Sequence, residues 1–118
     1  MSLDVQEPTT HADEPGSVSL LIDADVGVLV VLHGAIGNEM HADVRDLVAD
    51  LESDAAGTAG RPVQVLAEQV TLFGLPGIWL LLELRRAARP AVVTLVRPSP
   101  AVRDAVARHN LAGLAIVD

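Results

Sequence analysis

Hydrophobic and polar positions follow a two-residue period at the start of the apolar part of the chain. Between Ser17 and Asp23, apolar residues occupy every second position, which predicts a β-strand with one buried face. These positions are Val18, Leu20 and Ile22. After a turn at residues 23–27, the run Val28–His33 is apolar on both faces and rich in β-branched residues, as is typical of a central strand covered on two sides. We therefore expect the second strand to lie in the middle of a sheet.

The pattern then changes to a helical period. Gly34 and Gly37 indicate a loop, and Asn38 is the predicted N-cap of a helix that ends before Gly57. The inward positions, spaced i, i+3, i+4 and i+7, are Val44, Leu47, Val48 and Leu51. The acidic positions turned outward are Asp43, Asp46 and Asp50. This segment is expected to be an amphipathic helix packed on the sheet.

Strands and helices continue to alternate in the second half. Short strands are predicted at Val63–Ala67 and Ala91–Val96, and a last strand or extended tail at Leu114–Val117. The order β-β-α-β-α-β-α, with an optional final strand, predicts an α/β fold. Its architecture is a small mixed β-sheet of four to five strands with three or more helices packed on it.

Proline, serine and asparagine predict where the two later helices begin and end. Pro76 opens the second helix, which continues through Arg89 and stops at Pro90. Ser99 is the predicted N-cap of the third helix, which turns Val102 and Val106 inward. Asn110 is expected to close that helix in the left-handed conformation.

Composition assigns the chain to one domain and a tail. Half of the 118 residues are hydrophobic and the mean hydropathy is +0.39, which excludes disorder of the whole chain. Residues 1–16 carry four acidic side chains and no basic one, and are interrupted by Pro8, Pro15 and Gly16. We expect a disordered acidic tail at 1–16 and a single domain at 17–118.

Charge and hydropathy limit the classes of partner that we expect this protein to bind. Sixteen acidic residues against eight arginines give a net charge of −8, which opposes binding to nucleic acid, and a single Trp and a single Phe offer few stacking surfaces. The longest near-apolar stretch, Val26–Ile36, is far shorter than the ~20 residues that a membrane-spanning helix needs. The acidic beginning of the chain lacks the positive charge of a secretory signal. We therefore expect a cytoplasmic protein without nucleic-acid binding or direct membrane insertion.

Catalytic and metal-binding patterns are weak. The chain has no Cys and no Lys, which excludes thiolate chemistry and the phosphate loop that ends in Gly-Lys. His33, His41 and His109 lack the spacing of a helical metal site. Asp46 and Asp50 form a carboxylate pair, but on the solvent-facing side of the first helix. Neither an enzyme nor a metal or cofactor site is expected.

Three short motifs accompany this order of elements. They are Val31-Leu32-His33-Gly34 before the first helix, Phe73-Gly74-Leu75-Pro76-Gly77-Ile78 at the start of the second, and Arg97-Pro98-Ser99-Pro100-Ala101-Val102 at the start of the third. Together with the order of elements, they resemble the STAS domain of bacterial anti-sigma-factor antagonists. The resemblance covers residues 17–118. It implies a protein-interaction module whose partner is an anti-sigma factor or a related regulatory kinase.

The resemblance fails at the residues that carry the family's regulation. Members of the family usually have Asp-Ser-Ser-Gly-Leu at the second helix, where a kinase phosphorylates the first Ser. This chain has Leu75 at that position, so the resemblance implies no switch by serine phosphorylation. Acidic residues that the family carries elsewhere are replaced by Gly37 and Leu66. Two interpretations remain open, a degenerate domain and a constitutively binding adaptor.

A second apolar stripe on the second helix is the candidate interface. Leu75, Trp79 and Leu82 are spaced i, i+4 and i+7, away from the face expected to contact the sheet. Large exposed apolar patches mark binding sites, and Trp is enriched at their centres. The alternative is that Trp79 folds back onto a neighbouring loop. The predicted partner-binding residues are Gly37, Asn38, Gly74, Leu75, Pro76, Trp79 and Leu82.

Two uses of that interface remain open at the sequence level, a homodimer and a regulatory partner. A different function on the same fold is a STAS-like accessory subunit of a membrane transport complex for lipid or anions, as such domains also occur there. A small enzyme or ligand carrier would require convergent polar groups that the sequence does not provide.

Overall fold

The computed structural model describes residues 15–23, 27–53 and 59–118. Within these residues the strands are β1 (Ser17–Asp23), β2 (Gly27–Ile36), β3 (Val63–Phe73), β4 (Val93–Val96) and β5 (Leu114–Val117). The α-helices are α1 (His41–Ser53), α2 (Leu75–Ala88) and α3 (Pro100–Arg108), and a 3₁₀ turn at Asn38–Met40 leads directly into α1. The predicted order of elements is confirmed, and the optional final strand is present.

The five strands form one mixed sheet in the order β1-β2-β3-β4-β5. β1 is antiparallel to β2, and each later strand is parallel to its predecessor. Each parallel step moves in the same direction along the sheet, and such crossovers are almost always right-handed, which puts the connecting helices on one face. This face is the hydrophobic core, formed in the central strands by Val28, Val30, Leu32, Val63, Val65, Val93 and Leu95.

The opposite face of β2 departs from the sequence prediction. Val30 and Leu32 on the helix side are buried, whereas Leu29 and Val31 on the other side are only half-buried. The apolar run therefore does not have two fully covered faces, as was expected. The reason is topological, because three crossovers of one hand place α1, α2 and α3 on the same side of the sheet.

β2 and β3 are longer than the sequence predicted. Gly34 was expected to begin a loop, but β2 continues to Ile36, and Gly34 has a φ of 74° beside an irregularity in the β2–β3 pairing. β3 likewise extends beyond Ala67 to Phe73, and Ile36 pairs with Phe73. A glycine that breaks an isolated strand is tolerated here because it forms a bulge within a paired strand.

Helix boundaries and faces follow the sequence in most respects. The four inward positions of α1 are buried. Asn38 is not an N-cap, since it begins the 3₁₀ turn and Gly37 precedes it. Ser99 caps α3, with its hydroxyl accepting a hydrogen bond from the Val102 backbone N–H at 3.4 Å, and Asn110 has a φ of 53°. The buried apolar side chains of α2 include Ile78, Leu80, Leu81 and Leu84.

Candidate functional site

The candidate site lies where β2 and β3 end side by side. The ends of parallel neighbours meet at one edge of a sheet, and the pairing of Ile36 with Phe73 places the two following loops together. The backbone N–H of Gly74 donates a hydrogen bond to the carbonyl of Ile36 at 2.8 Å. A side chain added at Gly74 would approach Gly37 Cα at 3.7 Å. The two glycine loops are therefore closely packed.

The first turn of α2 projects an apolar side chain at this edge. The carbonyl of Gly74 accepts hydrogen bonds from Gly77 at 3.0 Å and Ile78 at 3.2 Å, which starts the helix. Pro76 lies within the first turn, where the N–H that proline lacks would have no helical partner. Leu75 is 67% exposed, and no acidic residue lies in this turn. The helix therefore begins with an exposed leucine.

Trp79 connects α2 to the beginning of α1. Its ring stacks on His41, with ring centroids 6.2 Å apart and an interplanar angle of 19°. Trp79 is half-buried and also packs against the core. Between the two helices lies a shallow groove of about 270 Å³, whose lining consists of Asn38, His41, Leu75, Pro76 and Trp79. Trp79 thus partly folds back onto a neighbouring segment and still presents a surface to solvent.

The structure brings most of the predicted site residues together. Leu75, Pro76 and Trp79 share the groove with Asn38, and Gly37 and Gly74 form its adjoining loops. Leu82 does not line this groove, although, like Trp79, it is half-buried and packs against the core. Leu82 therefore stays a predicted partner contact that lies outside the groove.

Two residues near the groove were missed from the sequence. His41 was considered only as a metal ligand, whereas its ring forms one wall of the groove against Trp79. Leu72 is 50% exposed, and its Cδ2 lies 3.4 Å from where a side chain on Gly37 would begin. No periodic pattern in the sequence marks an exposed leucine at the end of a strand. The proximity of Leu72 to Gly37 results from the pairing of β2 with β3.

The chemistry of the site is apolar contact. No set of three or more His, Asp or Glu side chains within the described ranges could hold a metal ion. The described helices are also too short or too polar to cross a membrane. The groove is shallow, and its lining combines leucine, proline and two stacked rings with the polar side chain of Asn38, a composition suited to a protein surface.

The chain matches no protein-family model and no curated protein sequence, and its similarity to known proteins lies in the fold. It is similar to the solved structure of the anti-sigma factor antagonist SpoIIAA in its unphosphorylated form, with a TM-score of 0.65 and 16% identity over 86% of this chain and 88% of that one. An anti-sigma factor antagonist from Mycobacterium paratuberculosis gives a TM-score of 0.68 and 14% identity over 87% of this chain and 86% of that one. The chain therefore has a STAS-like α/β fold, the fold of these antagonists.

Proposed function

We propose that this protein is a non-catalytic interaction module of bacterial transcription regulation that binds an anti-sigma factor or a related regulatory kinase in the cytoplasm. The observation that carries the proposal is the exposed Leu75 beside the groove of Trp79, on a fold shared with two anti-sigma factor antagonists. Hot spots of protein interfaces are enriched in Trp set among apolar neighbours. The docking surface that we propose consists of Gly37, Asn38, Gly74, Leu75, Pro76 and Trp79. To these we add His41, which lines the groove, and Leu72, which lies close to Gly37.

We further propose that binding is not switched by serine phosphorylation. By resemblance, the family acceptor falls on Leu75, which has no hydroxyl group. A phosphate adds a charge of about −2, which would repel an acidic partner and disrupt an apolar contact. With Leu75 in that position, the first turn of α2 carries no negative charge. The protein would then act as a constitutive binder whose effect depends on its concentration.

The first test uses Trp79. Isothermal titration calorimetry is performed with purified anti-sigma factors and regulatory kinases of the same organism, and Trp79→Ala should weaken the association by about 2 kcal/mol or more. Val92→Ala is the matched control, because Val92 is 52% exposed and lies just before β4. It is therefore at the opposite end of the strands from Trp79. Equal affinities for the wild type and Trp79→Ala would contradict the proposal.

Sedimentation equilibrium of the protein alone tests the second use of this surface. If the wild type dimerises and Trp79→Ala does not, the surface serves self-association, and a regulatory partner must compete with a second copy. If both are monomers, calorimetry with the partners decides the proposal without this competition.

A further inference from the structure

A second groove lies at the other side of α1, along the free edge of the sheet. β1 is the first strand in the sheet order and, among the described residues, pairs within the sheet only with β2. An edge strand leaves one row of backbone N–H and C=O groups available for another strand. The groove between β1 and α1 has a volume of about 510 Å³.

The two walls of this groove differ in chemistry. Its strand side consists of Val18, Leu20 and Ile22, which are half-buried and pack against the core. Its helix side carries Asp43, Asp46 and Asp50, which are exposed and spaced i, i+3 and i+7 along α1. No ion pair between described residues involves any of these three carboxylates. Among the residues that the structure describes, the groove therefore combines an apolar floor, a strand edge without a neighbouring strand and a row of carboxylates without an ion pair.

We infer that this groove binds an extended basic segment of a partner protein, which adds a strand to β1. In an added strand, alternate side chains point to the same face. Apolar residues on the helix-facing side would contact Val18, Leu20 and Ile22, and Lys or Arg residues among them would reach the carboxylates of α1. Backbone hydrogen bonds supply affinity in this mode of recognition, and the side chains supply specificity.

Charge argues against the two other occupants. A second copy paired through β1 about a two-fold axis would bring two rows of Asp43, Asp46 and Asp50 towards each other, and like charges repel. The N-terminal residues 1–14 contain four acidic residues and no basic one, so their charge has the same sign as the groove. A basic partner is the occupant that the electrostatics favour.

The test uses the isotopically labelled chain and a synthetic nine-residue peptide with Arg at positions 1, 5 and 9, Val at positions 3 and 7, and Thr at the even positions. In an extended strand this pattern places the Arg and Val side chains on the same face. Amide chemical shifts are followed during titration at about 50 mM and about 300 mM salt, because salt screens exposed charge pairs. The expected result is a shift of the β1 and α1 amides and weaker binding at the higher salt. A peptide with Glu in place of every cation should not bind.

Two charge variants complete the test. Asp43→Asn/Asp46→Asn/Asp50→Asn should weaken binding of the basic peptide by about tenfold or more, since three exposed pairs are lost. Glu52→Gln/Glu68→Gln/Asp104→Asn is the control for net charge. It removes the same charge from exposed residues outside the groove, each of which is paired with an arginine in the wild type. Its affinity should stay within about twofold of the wild type. Amide spectra confirm that both variants remain folded.

Other outcomes would overturn the inference. If both triple variants weakened peptide binding equally, the binding would depend only on the net charge of the protein. Shifts confined to Leu75 and Trp79 would place the peptide at the other surface. Concentration-dependent shifts of β1 without peptide would assign the edge to a second copy, and shifts of β1 upon removal of residues 1–14 would assign it to the chain's own N-terminus.

Discussion

At the scale of single residues, a substitution of Leu75 can test its proposed role in partner binding separately from its effect on stability. It is 67% exposed in the first turn of α2, so its side chain contributes little to the core. The backbone N–H groups of that turn carry a partial positive charge. A negative side chain there is favourable for the fold and unfavourable for an apolar docking surface.

We predict that Leu75→Asp weakens partner binding while the fold is retained. The charge should stabilise the helix N-terminus by about 0.3–1 kcal/mol, measured by urea unfolding. It should weaken association by about 2 kcal/mol or more, measured by calorimetry. Leu75→Asn is the control that removes the apolar side chain without adding charge. Wild-type affinity for Leu75→Asp would show that the partner contacts another surface.

At the scale of elements, the packing of α2 against the end of β3 determines how the site is presented. Gly77 lies in α2, four residues after Phe73, the last residue of β3. A side chain added at Gly77 would lie 2.5 Å from Cε1 of Phe73. The absence of a side chain at this helical position therefore lets α2 lie close to the strand from which it starts.

We predict that Gly77→Ala lowers the free energy of unfolding. Alanine favours an isolated helix by about 1 kcal/mol, but overpacking against Phe73 costs about 1–3 kcal/mol. The net effect, measured by urea unfolding, should therefore be destabilising. In a Phe73→Leu background the clash is relieved, and Gly77→Ala should become neutral or stabilising. A stabilising Gly77→Ala in the wild-type background would show that the ring moves aside without cost.

Also at this scale, exposed ion pairs connect elements without dominating their stability. Arg86 of α2 pairs with Glu83 and, at 3.4 Å, with Glu52 of α1. The pKa of Arg86 lies above its usual value because Glu83 accepts a hydrogen bond from it and both carboxylates place negative charge nearby. The pair with Glu52 is exposed on both sides, and exposed ion pairs contribute little to the free energy of unfolding. The α1–α2 contact is therefore attributed to its buried apolar residues.

At the scale of the whole molecule, the contacts of Pro15 and Gly16 with β2 bear on where the domain begins. We expect the tail to comprise residues 1–16, and the described chain begins at Pro15, which bridges to Ala35 in β2. A side chain at Gly16 would lie 2.1 Å from the Ala35 carbonyl oxygen, which shows how closely this residue approaches β2. The contacts made by Pro15 and Gly16 suggest that a stable domain includes both residues.

We predict that a chain starting at Pro15 unfolds with the free energy of the full chain, within about 0.5 kcal/mol, in urea. A chain starting at Ser17 loses the bridge to Ala35 and should be measurably less stable. A large loss of stability in the chain starting at Pro15 would show that residues 1–14 contribute to the fold.

The local sequence determined the elements of this protein because their signals are local. The period of Val44, Leu47, Val48 and Leu51 specifies the buried face of α1. Ser99 specifies the N-cap of α3, because its hydroxyl accepts a hydrogen bond from the backbone N–H three residues later. The order of the elements followed from the same signals. The motifs around Leu75 also indicated the candidate surface, because the residues that begin a helix are adjacent in the chain.

The tertiary structure decided what depends on residues distant in the sequence. Gly34 lies within a strand because β3 pairs alongside it, and Leu82 packs against the core because of the way α2 lies on the sheet. The stacking of His41 on Trp79 joins two helices, and no periodicity within either helix encodes it. The acidic groove likewise exists because α1 packs beside the edge strand β1. Such contacts are set by strand pairing and packing, which a one-dimensional pattern does not contain.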